Sequence, residues 1–140
     1  MMTKYKMSHE SINVFSGGNQ KVSIAGDQST FNHTLYAASF KEASDERLKT
    51  NISPIAYDPD GIGIYSFIKN DYDSYSYGFI AQNIAETHPE LVSENTVTSY
   101  LAVDYDATLS LLLAKAFNRI DTLEKRVIEL EKALIDTELI

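Results

Sequence analysis

From Leu109 to Leu134, apolar residues recur at alternating spacings of four and three: Leu109, Leu113, Ala116, Ile120, Leu123, Val127, Leu130 and Leu134. Spacing of this kind keeps one face of an α-helix apolar over nearly four heptads, the mark of a coiled-coil seam. It predicts a helix over 107–140 that buries its seam against copies of itself. A single amphipathic helix packed on its own domain is the alternative. Glu124, Lys125, Arg126, Glu129, Glu131 and Lys132 supply flanking charge. Leu113, Ile120, Val127 and Leu134 fall at the a positions, and Ala116, Leu123 and Leu130 at d. By the usual rule, β-branched a residues with Leu at d lean towards two strands.

Composition narrows the function classes. With 140 residues the chain holds one domain, or one small domain with extensions. A formal charge of −8 argues against nucleic acid or anionic membrane as a partner. No cysteine is present, so neither disulfides nor thiolate chemistry enter. His9, His33 and His88 lack ligand spacing, and neither metal nor cofactor is expected. No apolar run approaches the roughly 18 residues of a membrane span.

Upstream of the helix the chain falls into two zones. Residues 1–43 carry short alternating pieces: Val14-Phe15, the Gly17-Gly18 turn, Lys21 to Ala25, the Gly26-Asp27 turn, and Thr34 to Phe40. They predict strands too short and polar to stand as an isolated sheet, stabilised by copies or by a preceding stalk. Residues 44–106 hold the globular apolar set, namely Leu48, Ile52, Ile55, Ile62, Ile64, Tyr65, Phe67, Ile68, Tyr77, Phe79 and Ile80. Ile64–Ile68 and Tyr75–Ile80 predict a hairpin around the polar loop 69–74. Ala81–His88 predicts a short helix stopped by Pro89. The expected fold class is α+β, and so thin a core points to partners that supply the rest.

Ser44-Asp45-Glu46-Arg47-Leu48-Lys49 places a hydroxyl near an ammonium. A serine becomes nucleophilic when a base takes its proton, and a lysine serves if burial lowers its pKa. Five residues is the wrong spacing for one face of a helix or strand, so such a pair needs a turn between its members. Ser44 and Asp45 are read alternatively as caps of a helix starting near Glu46, a common use of Ser-Asp. Tyr65, Tyr75, Tyr77, Tyr100 and Tyr105 read as packing, and Asp104 and Asp106 as a helix start before Ala107.

Ser44 to Ile52 resembles the opening signature of the intramolecular chaperone domain of endosialidases and other phage tailspikes and tail fibres, a domain also found in the precursor of myelin regulatory factor. Tyr77-Gly78-Phe79-Ile80-Ala81-Gln82-Asn83-Ile84, Pro89-Glu90-Leu91-Val92 and Tyr100-Leu101-Ala102-Val103-Asp104-Tyr105 resemble its later motifs, in order. The resemblance implies a homotrimer that folds an upstream β-stranded stalk, of which residues 1–43 would be the last piece. It implies a cut at Ala43–Ser44 with Ser44 as nucleophile and Lys49 as general base. Asp45, Arg47 and Asn51 match motif positions and would shape the site; Gly78, Gln82 or backbone amides are the candidate oxyanion donors. The implied setting is the host cytoplasm during virion assembly, with the cleaved domain gone from the mature virion. A trimer conflicts with the dimer-leaning heptads. The trimer is preferred, because Ala at d and a short coil specify the state weakly and a three-chain stalk imposes its own symmetry. The competing functions are a trimerisation cap that never cuts and a receptor-binding tip built on the exposed tyrosines.

Overall fold

The computed structural model describes residues 3–7, 11–25, 29–70 and 74–138. His9, the Gly26-Asp27 turn, and Asp71, Tyr72 and Asp73 of the predicted hairpin loop lie outside them. The chain divides into two compact units, Met1–Ala38 and Ser39–Ile140.

The first unit is a four-stranded antiparallel meander of β1 (Thr3–Met7), β2 (Ser11–Ser16), β3 (Asn19–Ala25) and β4 (Ser29–Phe31), paired in chain order. Gly17 and Gly18 make the tight β2–β3 link, with φ of 59° and 77°, values that glycine adopts without a Cβ penalty. Register places Ile12 opposite Ile24 and Val14 opposite Val22, so one face of the sheet is apolar. Ile12 and Ile24 are nonetheless well exposed. The sequence pieces thus pair with one another inside one chain. The strand expected at Thr34–Phe40 does not form. Among the described residues that segment has no ladder partner, and Leu35, Tyr36 and Phe40 are exposed.

The second unit holds two three-stranded antiparallel sheets. One has the order β5 (Glu42–Ala43), β10 (Leu101–Val103), β9 (Val92–Glu94). The other has the order β6 (Lys49–Tyr57), β7 (Gly63–Lys69), β8 (Tyr75–Gly78). The predicted β7–β8 hairpin is present, but its second strand ends at Gly78. Phe79 and Ile80 instead form a buried link into α1 (Ala81–Ala85), shorter than the predicted Ala81–His88 helix. Pro89 opens a 3-10 turn, Pro89–Leu91. The unit is α+β, with small antiparallel sheets and one long C-terminal helix, α2 (Tyr105–Glu138).

The core gathers Ile62, Phe79, Ala81, Ile84 and Val103, with Leu91, Val92, Leu101, Tyr105 and Leu112 packed against it. Four residues of the predicted apolar set lie at the surface instead. Ile52, Ile55, Ile64 and Tyr77 are exposed. Side chains alternate along a strand, so a sheet with one covered face puts Ile64 and Phe67 on opposite sides. Phe67 is the buried member.

Asp104 starts α2 by accepting from Ala107 N at 3.0 Å. The first three turns face the domain through Tyr105, buried Thr108 and Leu112, and Lys115 pairs with Asp58 and Asp60. The heptad residues lie on the outward side of the helix from its start. Leu109, Leu113, Ile120, Leu123 and Val127 are each 50% to 54% exposed.

Candidate active site

Ser44 leaves β5 beside the short strand β10. Its N–H donates to Leu101 O at 3.0 Å, and its carbonyl accepts from Ala81 N, the first amide of α1, at 2.8 Å. Asp45 then turns the chain. Its carboxylate accepts from Arg47 N and caps the 3-10 turn Glu46–Leu48, after which Lys49 opens β6. The turn returns the chain towards Ser44, so the unfavourable five-residue spacing is overcome by a break in regular structure. The capping reading and the pairing reading hold together: Asp45 is the cap, and Ser44 is free to face Lys49.

Ser44 is fully buried and Lys49 is 6% exposed. Lys49 Nζ donates to Ser44 Oγ at 2.7 Å, to Phe79 O at 2.5 Å and to Ser44 O at 3.3 Å. It also sits 4.1 Å from the centroid of the Phe67 ring. Burial disfavours its charged form and pushes its pKa down to about 8. Ser44 Oγ donates to Phe79 O at 2.6 Å and lies 3.0 Å from Tyr105 OH. The Phe79 backbone is the hub: its carbonyl accepts hydrogen bonds from both members of the pair, and its N–H donates to Tyr105 OH at 3.2 Å.

The Ala43 carbonyl is placed differently. Because Ser44 N–H donates to Leu101 O, Ala43 and Ala102 face each other as a non-hydrogen-bonded pair. In such a pair both N–H and C=O project away from the partner strand. The carbonyl beside Ser44 is therefore not tied to β10.

The other residues singled out in the sequence separate by role. Fully buried Asp45 also accepts from Arg47 Nε and Nη2 and from Leu101 N, each at 2.9 Å. Arg47 reaches on to Ser99 O and stacks 5.0 Å from the Tyr100 ring centroid. Gln82 turns its Oε1 to Glu46 N at 2.9 Å and so holds the turn. Gly78 supplies space: a Cβ there would lie 2.6 Å from Tyr105 OH. Asn51 is exposed at φ 50°, a backbone position that Asn tolerates, in the irregular stretch of β6 between Thr50 and Ser53. It does not reach Ser44. Tyr105 and the Phe79 backbone join the site from 61 and 35 residues downstream of Ser44. Sequence spacing carries no signal for either. Among the described residues, no three His, Cys, Asp or Glu side chains converge as a metal site requires.

Among known proteins, residues 44–93 match the peptidase-family model described as chaperone of endosialidase. No match emerged among curated proteins or solved structures. The matched stretch begins at Ser44 and includes Lys49, Gly78, Phe79 and Gln82, while Tyr105 and the heptads follow it. The segment that carries the buried Ser44–Lys49 pair is thus the part of the chain that is similar to the chaperone-of-endosialidase family.

Proposed function

We propose that this chain is a C-terminal intramolecular chaperone of a phage tail fibre or tailspike, which trimerises, folds an upstream β-stranded stalk and frees itself by hydrolysing Ala43–Ser44. The observation that carries this reading is the buried 2.7 Å contact between Lys49 Nζ and Ser44 Oγ.

The chemistry follows from the contacts. Neutral Lys49 takes the Oγ proton, and Oγ bonds to the Ala43 carbonyl carbon through a five-membered ring, so proximity is built into the covalent chain. The tetrahedral adduct collapses as the Ala43–Ser44 C–N bond breaks and Lys49 returns the proton to the departing nitrogen. Water then hydrolyses the ester, restoring the Ser44 hydroxyl and leaving a carboxylate on Ala43. In the resting chain Ser44 donates to Phe79 O, so the proton must leave that carbonyl before attack. Relief of this contact on assembly would make cleavage report correct folding.

Trimerisation is supported by the exposed seam on α2. A run of half-exposed Leu, Ile and Val along one helix face favours association. Changing Leu123 and Val127 together to Asp is expected to convert a trimer to monomer, as read by sedimentation equilibrium. A trimer that survives both charges places the interface elsewhere.

Intact mass of freshly purified protein, beside Ser44→Ala and Lys49→Ala, tests the cut. Two fragments meeting at Ala43–Ser44 in the wild type and in neither variant are expected. A second reading, a cap that stays attached, draws on the Ser44 hydroxyl being fully hydrogen-bonded where it lies. An uncut trimeric wild type would favour it.

A further inference from the structure

We infer that Tyr105 is a catalytic residue of the cleavage, donating its phenolic hydrogen bond to Ser44 Oγ. The inference rests on the dyad reading above and adds a third participant. Tyr105 OH lies 3.0 Å from Ser44 Oγ and accepts from Phe79 N–H at 3.2 Å. With its acceptor side occupied by that amide, the phenol has its own proton to give. Ser44 Oγ already donates to Phe79 O and therefore receives. Polarity along the chain is fixed: Phe79 N–H to Tyr105, Tyr105 O–H to Ser44.

Charge develops on Oγ twice. It appears first as Lys49 removes the proton, and again when Oγ leaves the ester during hydrolysis. A donor already aimed at Oγ lowers both barriers without reorganising. Lys49 alone cannot supply this throughout, because as base it begins without the proton that a donor needs.

The surrounding structure holds the phenol in place. Its ring packs edge-on against Phe79, with centroids 5.1 Å apart and planes at 60°. It is the first residue of α2, directly after the Asp104 cap. Gly78 leaves the room it occupies, since a Cβ would stand 2.6 Å from the hydroxyl but 3.3 and 3.4 Å from two ring carbons. The donor to the nucleophile and the heptad seam thus sit on one helix, whose first residue reaches Ser44 and whose later turns carry the seam.

The test follows cleavage of Ala43–Ser44 by intact mass in wild type, Tyr105→Phe, Gly78→Ala and the double variant. Melting and sedimentation on a Ser44→Ala background check that each folds and assembles. Tyr105→Phe is expected to slow cleavage roughly 10- to 100-fold, with the rise in rate through about pH 8 unchanged because Lys49 remains the base. Gly78→Ala displaces the hydroxyl and should slow cleavage in the wild-type background. In the Tyr105→Phe background it should have little further effect, because the closest clash has gone. If Tyr105→Phe cuts at the wild-type rate, or the two changes multiply, the role of Tyr105 is overturned and the dyad stands. If wild type stays whole, or Ser44→Ala or Lys49→Ala still cuts, the dyad falls and Tyr105 with it.

Discussion

Replacing Lys49 by methionine should leave Ala43–Ser44 whole while making the folded domain more stable near neutral pH. The two effects share a cause. Burial holds the ammonium pKa at about 8 against 10.5 for a solvated lysine, so the native state disfavours the charge that Lys49 carries at pH 7. Between those values the unfolded chain binds more protons than the folded one, and stability rises with pH across the window. Below about pH 8 both states are protonated and the penalty is fully present. Methionine keeps the packing against Phe67 and removes the ion, and its acceptors retain other donors: Ser44 O accepts from Ala81 N, and Phe79 O from Ser44 Oγ. A gain of about 1–3 kcal/mol at pH 7 is expected, fading towards pH 10.5. Urea melts on a Ser44→Ala background at pH 7 and pH 10.5, at one protein concentration, measure this without interference from cleavage. A less stable methionine variant at pH 7 would show that the ammonium is a structural asset. On the activity side, wild-type cleavage should climb about tenfold per pH unit up to about pH 8 and then level off, as the neutral amine becomes the major form.

Asp45→Ala should produce the largest loss of stability. The carboxylate is fully buried and accepts from Arg47 N, Arg47 Nε, Arg47 Nη2 and Leu101 N. The Arg47 guanidinium beside it, with the Leu101 and Arg47 amides, holds its pKa well below the usual carboxylate range. Truncation leaves the Leu101 and Arg47 amides without their acceptor and frees the turn that returns Lys49 to Ser44. The exposed side of Arg47 moderates the cost, which is expected to be about 2–4 kcal/mol. Asp45→Asn keeps one acceptor oxygen and should lose less. Because the folded pKa lies below the unfolded 3.8, the contribution is present above about pH 3.8 and drains away as pH falls towards the folded value. Acid titrations of the melting temperature should therefore show wild type and Asp45→Ala converging at low pH. Parallel curves would mean that Asp45 stabilises by packing alone.

Cleavage and stability answer differently to these two changes because the residues hold different parts of the site. Lys49 is held in an environment that opposes its charge, and the chemistry uses that opposition. Asp45 is held in one that favours its charge, and the geometry depends on it.

Patterns local in the chain were legible in the sequence. The heptad residues lie on α2, Gly17-Gly18 makes its turn, the β7–β8 hairpin forms, and Ser44 and Lys49 lie on either side of a turn. Each depends on neighbours within a few residues, so a period or a pair of glycines carries the information. Misreadings arose where the partner is distant. Thr34–Phe40 has the alternation of a strand but, among the described residues, no neighbouring strand to bond. Phe79 and Ile80 look like strand continuation, yet both are buried in the link to α1. Ile64 and Phe67 are both strongly apolar, and only the covered side of the sheet separates them.

The site divides along the same line. Residue chemistry and one local turn, both set by the sequence, determine that a hydroxyl and an amine are available near position 44. Tertiary structure alone decides that Lys49 is buried against Phe67, that the Phe79 carbonyl accepts from both Ser44 and Lys49, and that Tyr105 arrives from the start of a helix 61 residues away. A pKa depends on the local dielectric and a hydrogen bond on ångström-scale placement, and both are properties of packing between distant segments rather than of order along the chain.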